Sequence, residues 1–349
     1  MREIIVHEPG GPEVFQVEQA PMVGPNEGEM CIQMTYSGIN YTSVEKRRGN
    51  YHGVVMDWSP PYQAGLEGVG TITEINGRLE GWSTGERVGM IKFQGGTWSD
   101  QATADFSEAI HGTNCFFNPQ SAELVFKIPD GISDKKAAAI PVSFLTAYGI
   151  LKPIGEIEPS DTVLVHSAAG GVGNAATQIA TWSNATVIGI ASNEDKIAFA
   201  TRMGADHTIN YATNSITTEI DDICDDTVGI DIALESIGGR TFKQTLAVMN
   251  ESGSIITYGV SSGTPGIVTT PDLIFSGVSI HGFHLLLALL NEKTRTSIMD
   301  GITTMFEMVE RDTYHVEIDE VFDMTDVSSA HEYLESRNSI GNIVMAINP

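Results

Sequence analysis

Apolar and polar residues alternate in short runs over the first third of the chain. EMCIQMTYSGI (29–39), VGTITEI (69–75) and ERVGMIKF (86–93) are separated by turn clusters such as GPNEG and STGE. Period-two runs bounded by Gly, Pro, Asn and Ser predict short strands, here an irregular antiparallel barrel over 1–127. From Asp161 the pattern changes. DTVLVH, VIGIAS, HTINY, IDIALESIG, GSIITYG and VSIHGF are compact apolar runs. Helix-like stretches such as EDKIAFATR and GRTFKQTLAVMN lie among them. Strands alternating with helices predict βαβ units and a doubly wound parallel sheet, assigned to 128–283. The α/β pattern then gives way to a long periodic helix, a strand near TYHVEIDEVF, a helix at DVSSAHEYLESR and a strand NIVMAI. These predict that 284–349 completes the first domain.

SAAGGVG (167–173) gives the second region its chemistry. It follows a strand and opens a helix, the context in which G-x-G-x-x-G predicts a dinucleotide site. Ala168 takes the first glycine place and Gly170 and Gly173 the others, with Gly171 and Val172 between them. Small residues let the backbone approach a pyrophosphate, and the helix start offers free N–H groups. The bland alternative is a tight strand-to-helix turn. An NAD site ends its second strand in Asp or Glu to hold the ribose diol, whereas this strand ends in Ala191 and Ser192 with Lys196 one turn on. A hydroxyl and an ammonium suit a 2′-phosphate, so the expected cofactor is NADPH. Glu194 and Asp195 argue the other way, but behind Asn193 they also suit the first turn of a capped helix.

Composition narrows the partners. The 349 residues carry 19 Lys and Arg against 45 Asp and Glu, a net charge of −26. Nucleic-acid affinity depends on cations displacing counterions, so nucleic acid is not an expected partner. An acidic surface that aids solubility explains the charge; adaptation to salt is the alternative. Cys31, Cys115 and Cys224 are scattered and odd in number, which predicts neither a disulfide framework nor a metal clip. LLLALL (285–290) is too short to span a bilayer, and the N-terminus lacks a signal pattern. A soluble cytoplasmic protein is expected.

The ordered set GGPEVFQVEQAP, GINYTSVEKRRGNY, GLEGVG, LTAYGIL, AAGGVG, NEDKIAFATRMGADHTINY, ESIGG and LESRNSIG resembles the medium-chain dehydrogenase/reductases nearly end to end. The likeness is to the zinc-independent branch of quinone oxidoreductases and enone reductases, with stretches similar to prostaglandin reductases. It implies a GroES-like first domain, a Rossmann second domain and a homodimer. In the zinc enzymes of this family the metal takes a Cys, the His of a GHE motif and a later Cys. Those positions correspond to Asn40, Leu66 and the Cys-free PVSFLTAYG (141–149), so no metal site is expected.

The resemblance further implies that Asn40, Tyr51 and Thr146 lie beside the nicotinamide. Tyr51 is the candidate acid, with a packing tyrosine as the alternative. Ser43 stands where relatives often have Asp, and Asn342 where they often have Lys. Ser192, Lys196, Tyr211 and Arg337 would surround the 2′-phosphate. Ser236, Tyr258 and Val260 would lie along the ribose and nicotinamide. The residues themselves point independently only to Ser192 and Lys196.

Without a Lewis acid, hydride addition to a quinone or an activated C=C is the more accessible chemistry. The expected activity is therefore NADPH-dependent reduction of a small quinone or enone. An enoyl thioester reductase is the neighbouring possibility, with EKRR (45–48) as the basic run for CoA phosphates. A catalytically silent, crystallin-like NADPH-binding protein is the alternative of another class.

Overall fold

The computed structural model describes residues 1–50, 58–224 and 229–349. They form two compact units, one of Met1–Val142, Met299–Asp312 and Val316–Pro349, the other of Ser143–Ile298 and Thr313–His315.

The first unit is built on strand Glu29–Ile39, in which Met30, Ile32 and Met34 are buried and Gln33 is exposed. Residues two apart point to the same face, which puts these three side chains into one core with Ile72, Val88, Met90 and Trp98, while Cys31 is buried on the other face. Burying each such side chain stabilises the fold by about 1.5–3 kcal/mol. The strand pairs antiparallel with Glu67–Asn76, with Gln101–Asp105 and, through its last residues, with Asn342–Ala346. The C-terminal strand thus completes the first unit's sheet. Among the described residues nine strands make up this sheet, antiparallel except where Ile318–Asp323 joins Asn342–Ala346 in parallel. A second sheet, of three described strands, is centred on Arg2–Val6.

The described residues of the second unit contain a six-stranded parallel sheet, whose strands are numbered here as β1 (Thr162–Val165), β2 (Thr186–Ala191), β3 (His207–Asn210), β4 (Ile230–Glu235), β5 (Met249–Thr257) and β6 (Ser279–Gly282). Their order is 3-2-1-4-5-6, the doubly wound order of a dinucleotide-binding fold. Val163, Leu164 and Val165 are all fully buried, because helices cover both faces of such a sheet. The compact runs in the sequence reflect that.

The units divide at 142/143 and 298/299, whereas the sequence pattern suggested 127/128 and 283/284. Side-chain bonds account for the first difference. Asp134, opening helix Asp134–Ala139, accepts from Arg87 Nη2 at 2.6 Å and from Thr35 Oγ1 at 2.8 Å, which ties the helix to the first unit. The long helix Glu292–Glu310 is divided between the units, and its Phe306 packs on Phe126 of the first. Residues 313–315 join the second unit, where Tyr314 meets Phe144 edge-on at 5.3 Å and His315 N donates to Gln178 Oε1.

Candidate functional site

In the second unit the chain leaves β1 through Ser167, whose φ of 54° lies in the left-handed region. Ala168 is buried, and its N–H donates to Ile190 O of β2 at 3.0 Å. Helix α1 (Gly171–Trp182) then opens behind Gly170, which has no side chain to cap it. Backbone N–H groups of an uncapped first turn, reached over small residues, suit an anion such as pyrophosphate. A Cβ at Gly173 would collide with the backbone of Ser167 and Ala168, so the turn and the helix touch through this glycine. These features fit the nicotinamide dinucleotide that the fold implies.

At the end of β2, Ser192 is half-buried. Asn193 caps helix α2 (Glu194–Arg202), its side chain accepting from Lys196 N at 3.0 Å. Glu194 faces another partner: its Oε1 accepts from Asn210 Nδ2 at 2.7 Å. Tyr211 N donates to Ala191 O at 3.0 Å, which brings the exposed Tyr211 beside the same strand end. Ser192, the first turn carrying Lys196, and Tyr211 therefore share one corner. Across the sheet, Ser236 follows β4 and Tyr258 follows β5. Their side chains are hydrogen-bonded, and desolvation pushes the Tyr258 phenol up to about 12, with Ser236 opposing and Glu235 adding to it. Val260 is exposed just beyond. All these residues lie at the carboxyl edge of the sheet, where open α/β folds bind ligands. Thr146 sits almost fully buried in helix Pro141–Gly149.

Arg337 belongs to the first unit, exposed, with a left-handed φ of 61° after helix Val327–Glu335. Asn342 N and Nδ2 both donate to Glu317 O. Tyr51 lies outside the described residues.

The first unit holds Asn40 at the start of helix Tyr41–Arg47. Its amide does not cap the helix; Nδ2 donates to Glu67 Oε1 at 2.6 Å. The other oxygen of this fully buried carboxylate accepts from Val142 N at 2.8 Å. Burial pushes the carboxyl up to about 7, with the hydrogen bonds from Asn40 and Val142 opposing the shift. Ser43 Oγ donates to Asn40 O at 2.6 Å and meets His331 Nε2 at 3.2 Å. Glu67 and His331 escaped the sequence reading. The available signal for Glu67 was a lone carboxylate inside a glycine-rich apolar strand, a place where charge is costly unless paired.

Two domain models match the chain: an alcohol dehydrogenase GroES-like domain over residues 26–118 and a zinc-binding dehydrogenase domain over residues 171–302. The 2-haloacrylate reductase of Burkholderia sp is 28% identical over 98% of this chain and 97% of that protein. The quinone oxidoreductase of Salmonella typhimurium is 27% identical over 97% of each. The solved quinone oxidoreductase of Escherichia coli in complex with NADPH superposes with a TM-score of 0.86 at 25% identity, covering 99% of this chain and 100% of that one. The chain belongs to the medium-chain dehydrogenase/reductase family.

Within that family the donor set decides whether a catalytic zinc fits. This chain offers at the corresponding positions an amide committed to Glu67, the aliphatic Leu66, and no Cys or His in 141–149. Such groups do not fit the N/S coordination of catalytic zinc. Cys31, Cys115 and Cys224 are buried thiols, and among the described residues no group of three His, Cys, Asp or Glu is placed to hold a metal.

The basic run EKRR differs from its expected role. Lys46 and Arg47 are buried. Lys46 Nζ donates to Phe93 O at 3.2 Å and lies over the Trp58 ring, and burial pushes its pKa down to about 7. Arg47 donates to Gly10 O at 2.6 Å and pairs with Glu335, which also binds Arg48. Two of the run's three cations are thus tied internally, and the third, Arg48, is exposed and paired with Glu335. No helix among the described residues is long and apolar enough to cross a membrane.

Proposed function

We propose that this chain is an NADPH-dependent, zinc-independent oxidoreductase that delivers hydride to quinones or to the C=C of small α,β-unsaturated carbonyls. The observation that carries the reading is the state of the two metal-ligand positions. Asn40 is bonded to a buried carboxylate and Leu66 has no donor, which favours chemistry by positioning over chemistry by a zinc Lewis acid. Similarity over the full length to a 2-haloacrylate reductase and a quinone oxidoreductase supports the substrate class. The NADPH complex of a relative supports the cofactor.

The bound cofactor supplies hydride from nicotinamide C4. The chain's own residues bind and orient. Ala168, Gly170, Gly171, Val172 and Gly173 accept the pyrophosphate; Ser192, Lys196, Tyr211 and Arg337 meet the 2′-phosphate; Ser236, Tyr258 and Val260 line the ribose and nicotinamide. Asn40, Tyr51 and Thr146 flank the reacting carbon, with Tyr51 as candidate proton donor. The burial of Lys46 and Arg47 leaves Arg48 as the exposed cation of that run, which favours small quinones and enones over an enoyl thioester. The acidic surface disfavours nucleic acid, and we assign the protein to the cytoplasm as a homodimer.

An NADPH-oxidation panel of a quinone, a free enone and an enoyl-CoA tests the reading. Turnover of the quinone or enone is expected to exceed that of the thioester. A protein that binds NADPH yet oxidises it with none of the three is a silent binder, and the enzyme reading falls.

A further inference from the structure

Glu67 stands in a slot made for its carboxylate. A Cβ at Gly38 would collide with Oε1 and lie 2.7 Å from Ala138 O, so only glycine lets the side chain through. Ser37 Oγ and Thr97 Oγ1 both donate to Glu67 O and hold its backbone. Inside the slot the two oxygens have different partners. Oε2 takes the N–H of Val142, a donor that cannot be reversed, and Oε1 takes Nδ2 of Asn40. A side-chain amide can turn either end toward a neighbour, but an ionised carboxylate only accepts, and Glu67 is in that form above its raised pKa of about 7. The pairing therefore selects one of two Asn40 orientations.

We propose that Glu67 is a positioning residue that fixes the Asn40 amide so that Oδ1 is the atom left to accept a hydrogen bond from the reacting groups. This rests on the proposed function, which puts Asn40 beside the nicotinamide. Ser43 holds the same residue from its carbonyl, so Asn40 is fixed at both the main chain and the side chain.

Glu67→Gln exposes the logic. If the oxygen of the introduced amide keeps the Val142 N–H, its NH₂ faces Asn40, and Asn40 must turn Oδ1 inward and present its own NH₂ instead. If that oxygen keeps Asn40, the introduced NH₂ meets the Val142 N–H donor to donor. Asn40→Asp alone sets two carboxylates against each other. In the double variant Asn40→Asp/Glu67→Gln, the introduced amide donates to one oxygen of the introduced carboxylate, and the second oxygen is again an acceptor.

The test measures kcat, KM and NADPH Kd for the four proteins with one quinone and one enone at a pH well above 7, where Glu67 is ionised, alongside thermal melting of each. Each single variant is expected to lose roughly tenfold or more in kcat, the scale of one charge-assisted hydrogen bond, with NADPH Kd little changed. The double variant is expected to recover most of that loss over either single one, a non-additivity that only a direct pair produces. Glu67→Gln with wild-type kcat would overturn the proposal, as would recovery in melting temperature without recovery in kcat, which marks a merely structural pair. A wild type inert toward both acceptors removes the reductase reading as well, so the two failures are distinct.

Discussion

The hydroxyl of Ser43 stands between Asn40 and His331 and decides the tautomer of the imidazole. Its single proton goes to Asn40 O at 2.6 Å, so the 3.2 Å contact with His331 requires Nε2–H to donate to Ser43 Oγ. Nδ1 is then a bare lone pair, buried without a hydrogen-bond partner among the described residues. Phe15 and Trp98 pack edge-on against the ring at 4.5 and 5.6 Å. An aspartate at position 43 would stabilise an imidazolium; serine does not.

Burial, with the Arg47 cation adding to it, pushes the His331 pKa from 6.5 down to about 3. Between those values the unfolded chain binds a proton that the folded chain refuses, so this contribution to stability is lost as pH falls below 6.5. His166, pushed down to about 4 by burial, acts in the same direction, whereas Glu67, pushed up to about 7, acts in the opposite one. Comparison at each pH isolates His331. His331→Gln keeps an N–H for Ser43 and cannot titrate. Its urea stability relative to wild type should improve steadily as pH falls from 6.5 toward about 3, the range in which the unfolded histidine is protonated and the folded one is not. A constant difference would mean that the histidine is not held neutral.

Two glycines of the cofactor turn should respond differently to a methyl group. At Gly173 the added Cβ meets rigid backbone, with Ala168 Cα at 2.9 Å, while at Gly170 the nearest atom is Ser167 O at 3.4 Å. Overpacking of this kind costs about 1–3 kcal/mol. Gly173→Ala should therefore lose stability on that scale in denaturant titration, and Gly170→Ala should unfold close to wild type. Equal losses would mean that the turn can relax.

Much of the cofactor unit was legible because its central strands are compact apolar runs set off by Gly, Ser or Asn, and because the Asn193 cap is a local signal. The first unit hid more. Arg47 is buried by bonds to Gly10 and Glu335, the second 288 residues away, and no local pattern in EKRR carries that information. Glu67 looked like an ordinary strand carboxylate until Asn40, 27 residues earlier, and Val142, 75 later, came to it. Asp134 similarly moved a domain boundary through Arg87 and Thr35. Periodicity reports which face is buried, but not which distant partner makes a buried charge tolerable.

Zinc should be absent in stoichiometric amount from the purified protein, and its activity should survive chelator, because Asn40 and Leu66 supply neither thiolate nor imidazole. Elemental analysis gives the answer. One tightly held zinc per chain, with activity lost on its removal, would end the zinc-independent reading.

Association should involve the edge of the parallel sheet. Among the described residues β6 pairs with β5 alone, and nearby in sequence Ile274 and Phe275 are 68% and 87% exposed. An unpaired edge beside exposed apolar side chains favours pairing with a second copy. Light scattering should report a dimer for the wild type and a monomer for Phe275→Asp; a wild-type monomer at all concentrations removes the homodimer.

Cofactor choice should depend on Lys196. The second strand ends in Ala191 and Ser192, Asn193 fixes the first turn of α2 through Lys196 N, and the nearest carboxylate in sequence, Glu194, is engaged by Asn210 at 2.7 Å. A ribose diol would have to compete with that bond, whereas a dianionic 2′-phosphate is matched in charge by the Lys196 ammonium and can accept from the Ser192 hydroxyl. A hydrogen bond to a charged group contributes about 1.5–3 kcal/mol, and each 1.4 kcal/mol is about tenfold in binding. Lys196→Ala should therefore weaken NADPH by roughly one to two orders of magnitude on that scale and leave NADH nearly unchanged. Titrating both cofactors into both proteins measures it. If wild type prefers NADH, or if the substitution weakens the two cofactors equally, then Glu194 has left Asn210 for a ribose, or Asp195 holds it, and this corner is not a phosphate pocket.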